Sequence, residues 1–263
     1  MKNILVTGAY GGMGRANVQK LKAQGFRVFA LDKHVGEAEE NVVPIAADVT
    51  DEESVRRAAE TVQAQAGELF AVIHFAGVYM LDSLVEIPSS EFEKIFEINV
   101  FGAFYVNKAF LPLLGSGSRI IMTTSELAPL DPLPFTGLYA VTKAALDKYA
   151  YSLCMELQLL GISVSVIRAG AVSTGMLGSS TSALDAFCSN TALYTCNAER
   201  FKRIVDGVEA KSVPPEKIAS KTLKILQKRR PAFAYALNRN PLLRLLNVLP
   251  KRLQLFAIRQ VLK

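Results

Sequence analysis

Three side chains of the sequence have the types and spacing of an acid–base site. Tyr139 and Lys143 are four residues apart at the start of a predicted helix, so both face the same way. A phenol with its ordinary pKa of about 10 is a poor acid–base group at pH 7. A nearby lysine ammonium stabilises the phenolate and lowers that pKa. Ser125 ends a predicted strand and can hydrogen-bond a substrate oxygen, so the set predicts proton transfer at an alcohol or carbonyl oxygen.

A glycine-rich turn follows the first predicted strand. Residues 7–14 read Thr-Gly-Ala-Tyr-Gly-Gly-Met-Gly. Gly8 permits the tight turn, Gly12 lets the backbone approach a pyrophosphate at a helix N-terminus, and Gly14 allows close helix–strand packing. Because strand, turn, helix and second strand follow in order, the pattern predicts a dinucleotide site. The alternative is a loop that needs glycine only for its turns.

Two acidic residues bear on which dinucleotide binds. Asp32 ends the second predicted strand, where a carboxylate accepts hydrogen bonds from ribose hydroxyls and repels a 2′-phosphate. This favours NAD over NADP, although the nearby cations Lys33 and Arg15 weaken the argument. Asp48 ends the third predicted strand and has two interpretations, contact with adenine or capping of a helix that starts near Asp51.

Apolar runs of strand length alternate with amphipathic stretches of helix length. The strands are predicted over residues 4–7, 27–31, 42–46, 69–75, 120–124, 163–168 and 232–237. The helices are predicted over residues 13–24, 52–66, 89–114, 139–160 and 214–227. This alternation predicts an α/β fold, a single-domain Rossmann fold whose doubly wound parallel sheet of about seven strands is flanked by helices.

The chain of 263 residues, half of them apolar, is long enough for one α/β domain and short for two. We expect that domain over residues 1–239. Within it, residues 174–212 have no clear strand signal and are long enough for a substrate lid with its own helices. Residues 240–263 form a C-terminal amphipathic helical extension. No signal peptide or membrane-spanning run is expected, so the predicted location is cytoplasmic.

The basic residues are concentrated near the end of the sequence. Residues 217–263 hold twelve lysines and arginines and no acidic residue. In residues 240–263 the basic residues alternate with leucines, and Pro250 separates two short helices. One interpretation is a peripheral anchor on an anionic membrane surface. The other is a helix pair over the substrate pocket or at a subunit interface. A nucleic-acid partner is not expected, because the segment has few aromatic residues for stacking.

Over about residues 1–237 the sequence resembles the short-chain dehydrogenase/reductase family. The resemblance rests on the TGxxxGxG turn, Asn99 in Ile-Asn-Val-Phe-Gly, Ser125, and Tyr139-Ala-Val-Thr-Lys143. It implies that Tyr139 is the acid/base, Lys143 lowers its pKa and binds the nicotinamide ribose, Ser125 orients the carbonyl, and Asn99 holds a water in the proton relay. It also implies an NAD cofactor contacted by Gly8, Tyr10, Gly12, Met13, Gly14, Asp32, Asp48, Val49, Ala76, Gly77, Asn99, Tyr139, Lys143, Gly170, Val172 and Thr174.

The sequence departs from the family pattern at three places. The usual Asn-Asn-Ala-Gly after the fourth strand reads His74-Phe-Ala-Gly77, so His74 or water must replace lost hydrogen bonds. The usual Pro-Gly after the sixth strand reads Ala169-Gly170. Ser125 lies fourteen residues before Tyr139, one more than is usual. We expect a local bulge there and a serine that still reaches the site.

Substrate and assembly are predicted more coarsely. The local sequence of residues 123–126 and 134–139 is most similar to that of the hydroxysteroid and retinol dehydrogenase branch of the family. The expected substrate is a lipophilic secondary alcohol or ketone of steroid, retinoid or acyl-chain type. Candidate pocket residues, which could equally be core, are Leu127, Leu133, Phe135, Met176, Leu177 and the stretch 183–196.

A homodimer or homotetramer is expected through the helices after Asn99 and Tyr139. These helices carry Phe101, Phe104, Phe110, Tyr149, Leu153 and Leu157, more apolar surface than one sheet face should cover. No metal site is expected from three scattered cysteines and two histidines. The alternatives are a non-catalytic NAD-binding regulator, which would be free to lose Tyr139 and Lys143, and a sugar epimerase, which usually needs a longer C-terminal domain.

Overall fold

Seven parallel strands form one sheet in the part of the chain that is described. The computed structural model describes residues 1–209 and 211–263, with side chains for all of these except residues 176–181 and 209. The strands are β1 Asn3–Thr7, β2 Arg27–Asp32, β3 Val42–Ala46, β4 Leu69–His74, β5 Leu114–Ser125, β6 Ser163–Ala169 and β7 Ala234–Leu237. Their order across the sheet is β3-β2-β1-β4-β5-β6-β7.

Helices cover both faces of the sheet. The helices are α1 Gly12–Lys22, α2 Glu52–Ala66, α3 Ser89–Phe96, α4 Gly102–Phe110, α5 Gly137–Leu157, α6 Gly175–Asn190, α7 Thr195–Glu209, α8 Glu216–Gln227, α9 Pro241–Val248 and α10 Lys251–Leu262. One apolar layer joins α1 and α8 to the sheet, and two layers on the opposite face join α2, α4 and α5 to it. The predicted doubly wound Rossmann fold is confirmed.

The strand order reverses between β1 and β4, which lie side by side with helices on opposite faces. At such a point the loops that follow the two strands separate and leave a crevice, where ligands bind in open α/β sheets. The register brings the strand ends to one edge of the sheet: Thr7 pairs with His74, His74 pairs with Met122, and Ser125 pairs with Ala169 three residues further along. The loops carrying Gly8, Gly77, Ser125 and Gly170 therefore meet at one edge.

The helix predicted over residues 89–114 is correct in its extent to Leu113 but is not a regular α-helix throughout. The chain forms α3, a five-residue π-helical turn over Glu97–Phe101, α4 and then a 3₁₀ turn over Leu111–Leu113. Pro112 lies in that last turn and cannot donate the hydrogen bond that would continue an α-helix. β5 consequently begins at Leu114, six residues before the predicted start, with a register shift against β4.

The described part of residues 174–212, for which no strand was predicted, contains α6 and α7. These helices share an apolar cluster with α10, built around Leu184, Phe187, Phe201 and Leu262. The C-terminal segment therefore folds back onto the domain. Among the described residues, no helix has both the length and the apolar character needed to span a bilayer.

Candidate active site

The glycine turn is closely packed against its neighbours. Gly8 has a φ of +63°, and a Cβ there would lie 2.5 Å from the amide nitrogen of Ala76. A Cβ at Gly14 would lie 1.9 Å from the carbonyl oxygen of Gly8, and one at Gly12 would lie 2.6 Å from Cβ of Thr174. Each position thus excludes a side chain, and the loops after β1, β4 and β6 converge at the start of α1. This backbone-lined crevice fits a dinucleotide pyrophosphate.

Two backbone N–H groups orient the carboxylate of Asp32 at the end of β2. The Asp32 carboxylate accepts the backbone N–H of Tyr10 at 2.9 Å and that of Lys33 at 2.8 Å. The Lys33 ammonium forms an ion pair with Asp48, and its Nζ lies 2.7 Å from Oδ2 of Asp48. This hydrogen bond from Lys33 lowers the pKa of Asp48 to about 2. The one lysine next to Asp32 is therefore already paired with another carboxylate.

Asp48 does not cap α2, although one of its two interpretations predicted that it would. Asp51 is the N-cap of α2 and accepts the N–H of Glu53 at 3.0 Å. Asp48 instead accepts the backbone N–H of Thr50 at 3.0 Å and its hydroxyl at 2.7 Å. The neighbouring Val49 packs its side chain toward Gly102 at the start of α4.

His74 takes over hydrogen bonding in the altered motif after β4. Its Nε2 lies 2.9 Å from Oδ1 of Asn107 in α4, and Nδ2 of Asn107 donates to the Tyr149 hydroxyl at 3.1 Å. Burial lowers the pKa of His74 to about 4, so the ring is neutral at pH 7. The lost asparagine interactions are thus replaced by a buried chain that links β4 to α4 and α5.

Asn99 lies in the π-helical turn and holds the loop after β4. Its Oδ1 accepts the N–H of Val78 at 2.8 Å, and its Nδ2 donates to the Val78 carbonyl at 3.0 Å and to Thr142 Oγ1 at 3.2 Å. A Cβ at Gly77 would lie 3.0 Å from Asn99 Oδ1 and 3.4 Å from Lys143 Nζ. The side chain of Asn99 therefore ties this loop to α5.

Tyr139, Lys143 and Ser125 come together as the spacing predicts. Ser125 is the hydrogen-bonding partner of the Tyr139 hydroxyl, and Lys143 Nζ lies 5.6 Å from the Tyr139 ring centre. Burial raises the pKa of Tyr139 to about 12, and the hydrogen bond with Ser125 opposes that shift. Burial lowers the pKa of Lys143 to about 8. Lys143 donates to the carbonyl of Thr123 at 3.3 Å.

These residues line a cavity of about 280 Å³ with two kinds of wall. One wall, called here the sheet wall, comes from the strand ends, their loops and α5. It is formed by Met13, Phe75, Gly77, Val78, Tyr79, Thr123, Thr124, Ser125, Glu126, Leu127, Leu133, Thr136, Tyr139, Lys143, Ala169, Gly170, Ala171, Val172 and Thr174. The other, called the helical cap, comes from α7 and the start of α9. It is formed by Phe201, Ile204, Val205, Val208, Asn240, Leu242 and Leu243.

The expected site residues fall into two groups around this cavity. Those that line it are Met13, Gly77, Ser125, Tyr139, Lys143, Gly170, Val172 and Thr174. The others do not line it and surround the crevice or its supports: Gly8, Tyr10, Gly12, Gly14, Asp32, Asp48, Val49, Ala76 and Asn99. The extra residue between Ser125 and Tyr139 is absorbed in the loop, where Phe135 has a φ of +62°.

The predicted pocket residues are correct only in part. Leu127 and Leu133 line the cavity, but Phe135 packs instead with Phe187, Tyr194 and Phe201. No described residue of the stretch 183–196 lines the cavity. The side chains of Met176 and Leu177 lie outside the described part of the chain. The helical cap was missed at α7, although its repeat of apolar residues at 201, 204, 205 and 208 has helical spacing.

Glu126 is an acidic residue within this apolar site. It is 8% exposed, its Oε2 accepts the backbone N–H of Asn240 at 2.6 Å, and a Cβ at Gly170 would lie 2.9 Å from its Oε1. Burial raises the pKa of this carboxyl, while the N–H of Asn240 and the charge of Arg239 oppose the shift. Glu126 thus joins the end of β5 to the start of α9.

Comparison with known proteins agrees with this geometry. A family model described as short chain dehydrogenase matches residues 2–185. Estradiol 17-beta-dehydrogenase 2 of Mus musculus is 37% identical over 190 residues, which are 68% of this chain and 50% of that protein. The chain thus spans about half the length of that relative. A 3-ketodihydrosphingosine reductase of Bacteroides thetaiotaomicron is 26% identical over 231 residues, 88% of this chain and 85% of that protein.

Solved structures share the fold at low identity. An aldohexose dehydrogenase of Thermoplasma acidophilum superposes with a TM-score of 0.75 at 20% identity, over 91% of this chain and 95% of that one. A 3-ketoacyl-(acyl-carrier-protein) reductase of Brucella melitensis complexed with NADH gives 0.73 at 18% identity, over 90% and 96%. From the matched family model, the sheet order and the residues at its carboxyl edge, this chain belongs to the short-chain dehydrogenase family of nicotinamide-dependent oxidoreductases.

Proposed function

We propose that this protein is an NAD-dependent dehydrogenase/reductase that interconverts a secondary alcohol and a ketone on a lipophilic substrate. The observation that carries the proposal is the shared cavity: Ser125, Tyr139 and Lys143 lie at its sheet wall, and its far side is the apolar helical cap. The glycine crevice opens beside it. An apolar cavity with a few convergent polar groups is the usual form of a small-molecule site.

The chain's own residues have distinct parts in the reaction. Bound nicotinamide dinucleotide supplies or accepts the hydride. In reduction, the Tyr139 hydroxyl donates its proton to the carbonyl oxygen, and Ser125 donates a hydrogen bond to the same oxygen. In oxidation, the phenolate of Tyr139 removes the alcohol proton. A phenolate with a pKa of about 12 needs a nearby positive charge, so Lys143 in its ammonium form is required.

Asn99 acts as a positioning residue in this proposal. Its side chain holds Val78 and Thr142, and so keeps the loop after β4 and the helix with Tyr139 and Lys143 in register. A water held by Asn99 would complete the proton path from Lys143 to solvent, as the family resemblance implies.

The preference for NAD is argued from charge. Asp32 is oriented by two backbone N–H groups at the end of β2, where ribose hydroxyls bind and a 2′-phosphate would be repelled. Lys33 is paired with Asp48, and Arg15 lies near the carboxylate of Glu39. The Lys33 ammonium is therefore not free to attract a 2′-phosphate, and Asp32 supplies the repulsive charge at that position.

The lipophilic substrate is supported by the cavity and by the relatives. The helical cap presents Phe201, Ile204, Val205, Val208, Leu242 and Leu243 to the cavity. Relatives are named for estradiol and for 3-ketodihydrosphingosine, a steroid and a long-chain lipid. Residues 174–212 then serve as the substrate lid through α7. An apolar cap is a poor surface for a sugar, which argues against an epimerase.

Initial-rate assays test this proposal. NAD⁺ and NADP⁺ are compared as competing cofactors with a panel of steroid, retinoid and long-chain secondary alcohols, and with aldoses as the control. We expect turnover of lipophilic alcohols with NAD⁺ preferred. Cofactor binding without turnover of any panel member would favour a regulator, and activity confined to sugars would favour the epimerase.

We also propose that the exposed face of residues 240–263 docks on an anionic membrane. Inward-facing Leu243 lines the cavity, yet Leu245, Val248, Leu255 and Phe256 are exposed on α9 and α10. Arg244, Arg252, Arg259 and Lys263 are exposed beside them. Pocket cover and lipid contact are therefore compatible. Sedimentation with anionic and neutral liposomes tests this, with binding expected only to anionic ones and reduced by salt.

A homo-oligomer is proposed through α4 and α5. Phe101 is 47% exposed and Phe104 42%, and Tyr151 and Met155 on α5 are exposed as well. Two residues expected on this surface, Phe110 and Leu157, are instead buried in the core. Sedimentation equilibrium at micromolar concentration should give a dimer or tetramer, and monomer alone would contradict the proposal.

A further inference from the structure

Glu126 has a charge that its surroundings do not balance. Among the described lining residues of the cavity, the charged ones are Glu126 and Lys143, and Lys143 donates to Thr123 beside Tyr139. Within the described residues, no lysine, arginine or histidine forms an ion pair with Glu126. Its hydrogen-bond donor is the backbone N–H of Asn240, and Arg239 contributes only longer-range attraction.

Another buried carboxylate, which has a structural role, lies at the same edge of the sheet and is paired with a cation. Asp147 on α5 accepts two hydrogen bonds from the Arg168 guanidinium, at 3.0 and 2.7 Å, and a third from Thr124 at 3.1 Å. A buried carboxylate is usually matched by a cation in this way, because an unpaired charge is costly to desolvate. Glu126 has one backbone donor at Oε2, and its Oε1 faces Gly170 at the cavity.

Glu126 is next in the chain to Ser125, one of the residues proposed to bind the reacting oxygen. It directly follows Ser125, and consecutive Cα atoms are about 3.8 Å apart. Both residues line the same cavity, and Ser125 is the partner of the Tyr139 hydroxyl. A substrate whose carbonyl oxygen meets Ser125 and Tyr139 therefore occupies the same cavity as the Glu126 side chain.

We propose that Glu126 binds a protonated amine next to the reacting carbonyl, so that the substrates are long-chain amino ketones and the corresponding amino alcohols. This inference rests on the proposed function and specifies its substrate class. The ammonium supplies the cation that Glu126 lacks, and the apolar helical cap receives the alkyl chain. An ammonium–carboxylate contact among mainly apolar lining residues is stronger than one at the protein surface.

Three ketones of equal chain length test the proposal. They carry an amine, a hydroxyl or a hydrogen at the carbon next to the carbonyl. With the native protein and its preferred cofactor, kcat/KM should fall from amine to hydroxyl to hydrogen, with about tenfold or more between the first and the last. Equal kcat/KM for the amine and hydrogen compounds would overturn the proposal without any variant.

Glu126→Gln removes the charge and keeps an oxygen that can accept the N–H of Asn240, so the link to α9 is preserved. The ratio of kcat/KM for the amine compound to that for the hydrogen compound should fall by at least about tenfold. Glu86→Gln is the matched control. Glu86 also accepts backbone N–H groups of a distant segment, from Ala192 and Leu193, but does not line the cavity. For Glu86→Gln, the ratio of kcat/KM for the amine compound to that for the hydrogen compound should equal the ratio of the native protein.

The outcomes separate this inference from the proposed function. Turnover of all three ketones with the same ratio in the native protein and in Glu126→Gln would overturn the amine site and leave the oxidoreductase proposal standing. Failure to turn over any of the three, or the lipophilic alcohols, would overturn both.

Discussion

The two walls of the cavity are built in different ways. The sheet wall is set by the backbone: parallel strands end at one edge of the sheet, and glycines at positions 8, 14 and 77 allow loops to approach closely. The helical cap is set by apolar side chains of α7 and α9. It is tied down by a few hydrogen bonds, such as Asn240 to Glu126 and Asn197 to the carbonyl of Leu262.

The difference separates chemistry from selectivity. Apart from Glu126, whose proposed part is in substrate binding, changes at the sheet wall should alter the reaction or the cofactor, because the groups there act on protons and on the dinucleotide. Changes at the helical cap should alter which substrate is bound and leave the chemistry intact. Substitutions at each wall test this division.

Tyr139→Phe should have the largest effect. It removes the proton donor and keeps the edge-to-face ring contact with Tyr79, whose centroid distance is 4.6 Å. We expect kcat/KM to fall by about 10³-fold or more, since general acid–base catalysis contributes roughly 10²–10⁴-fold. NAD affinity, measured by calorimetry, should change little. Activity within tenfold of the native protein would show that the sheet wall does not carry the chemistry.

His74→Asn should change how stability depends on pH. In the folded state the pKa of His74 is lowered to about 4, against 6.5 for an ordinary histidine. As pH falls from 6.5 to 4, the unfolded chain gains the proton and the folded protein does not, so the native protein loses stability. At full effect the free energy of unfolding falls by about 3 kcal/mol. Urea unfolding at pH 7.5 and pH 4.5 measures it in both proteins.

His74→Asn should show a smaller drop between those two pH values, because asparagine does not titrate. The carboxylates titrate equally in both proteins, so they cancel in the comparison. An identical drop in the two proteins would mean that His74 is not the source of this acid sensitivity.

Asp32→Ala should change cofactor choice and not the rate with saturating cofactor. The preference for NAD over NADP should narrow by about ten- to a hundredfold, because a charged acceptor for ribose hydroxyls and a repulsive charge are both lost. Lys33→Ala is the control. Lys33 is exposed and paired with Asp48, so its loss should shift the preference by less than about threefold. A native preference for NADP would contradict the assignment.

Leu243→Ala should have the smallest effect and should be confined to substrate binding. The variant removes apolar contact from the helical cap, so kcat/KM for a lipophilic substrate should fall about five- to tenfold, mostly through KM. Val248→Ala on the same helix is the control, because Val248 is 81% exposed and does not line the cavity. A large fall in kcat for Leu243→Ala would show that the cap also serves the chemistry.

The sequence predicted most of the sheet wall and little of the helical cap, for a physical reason. Gly8, Ser125, Tyr139 and Lys143 lie at fixed offsets from strand ends, so local pattern and strand order are enough to bring them together. Phe201 and Leu243 meet over the cavity only because α7 and α9 fold back from different parts of the chain. The π-helical turn at Asn99 was also missed, because such turns have no simple periodic signal.

The strand order has a consequence for how the protein assembles. β1 lies between β2 and β4 and cannot be paired on both sides until the chain beyond Leu69 is available. Domains emerge from the ribosome N-terminal end first, at about 5–20 residues per second. The strand ends that form the sheet wall are therefore made before α9 and α10. For about several seconds of synthesis we expect the nascent domain to expose the apolar surface that α9 later covers, and apolar surface exposed during folding favours aggregation.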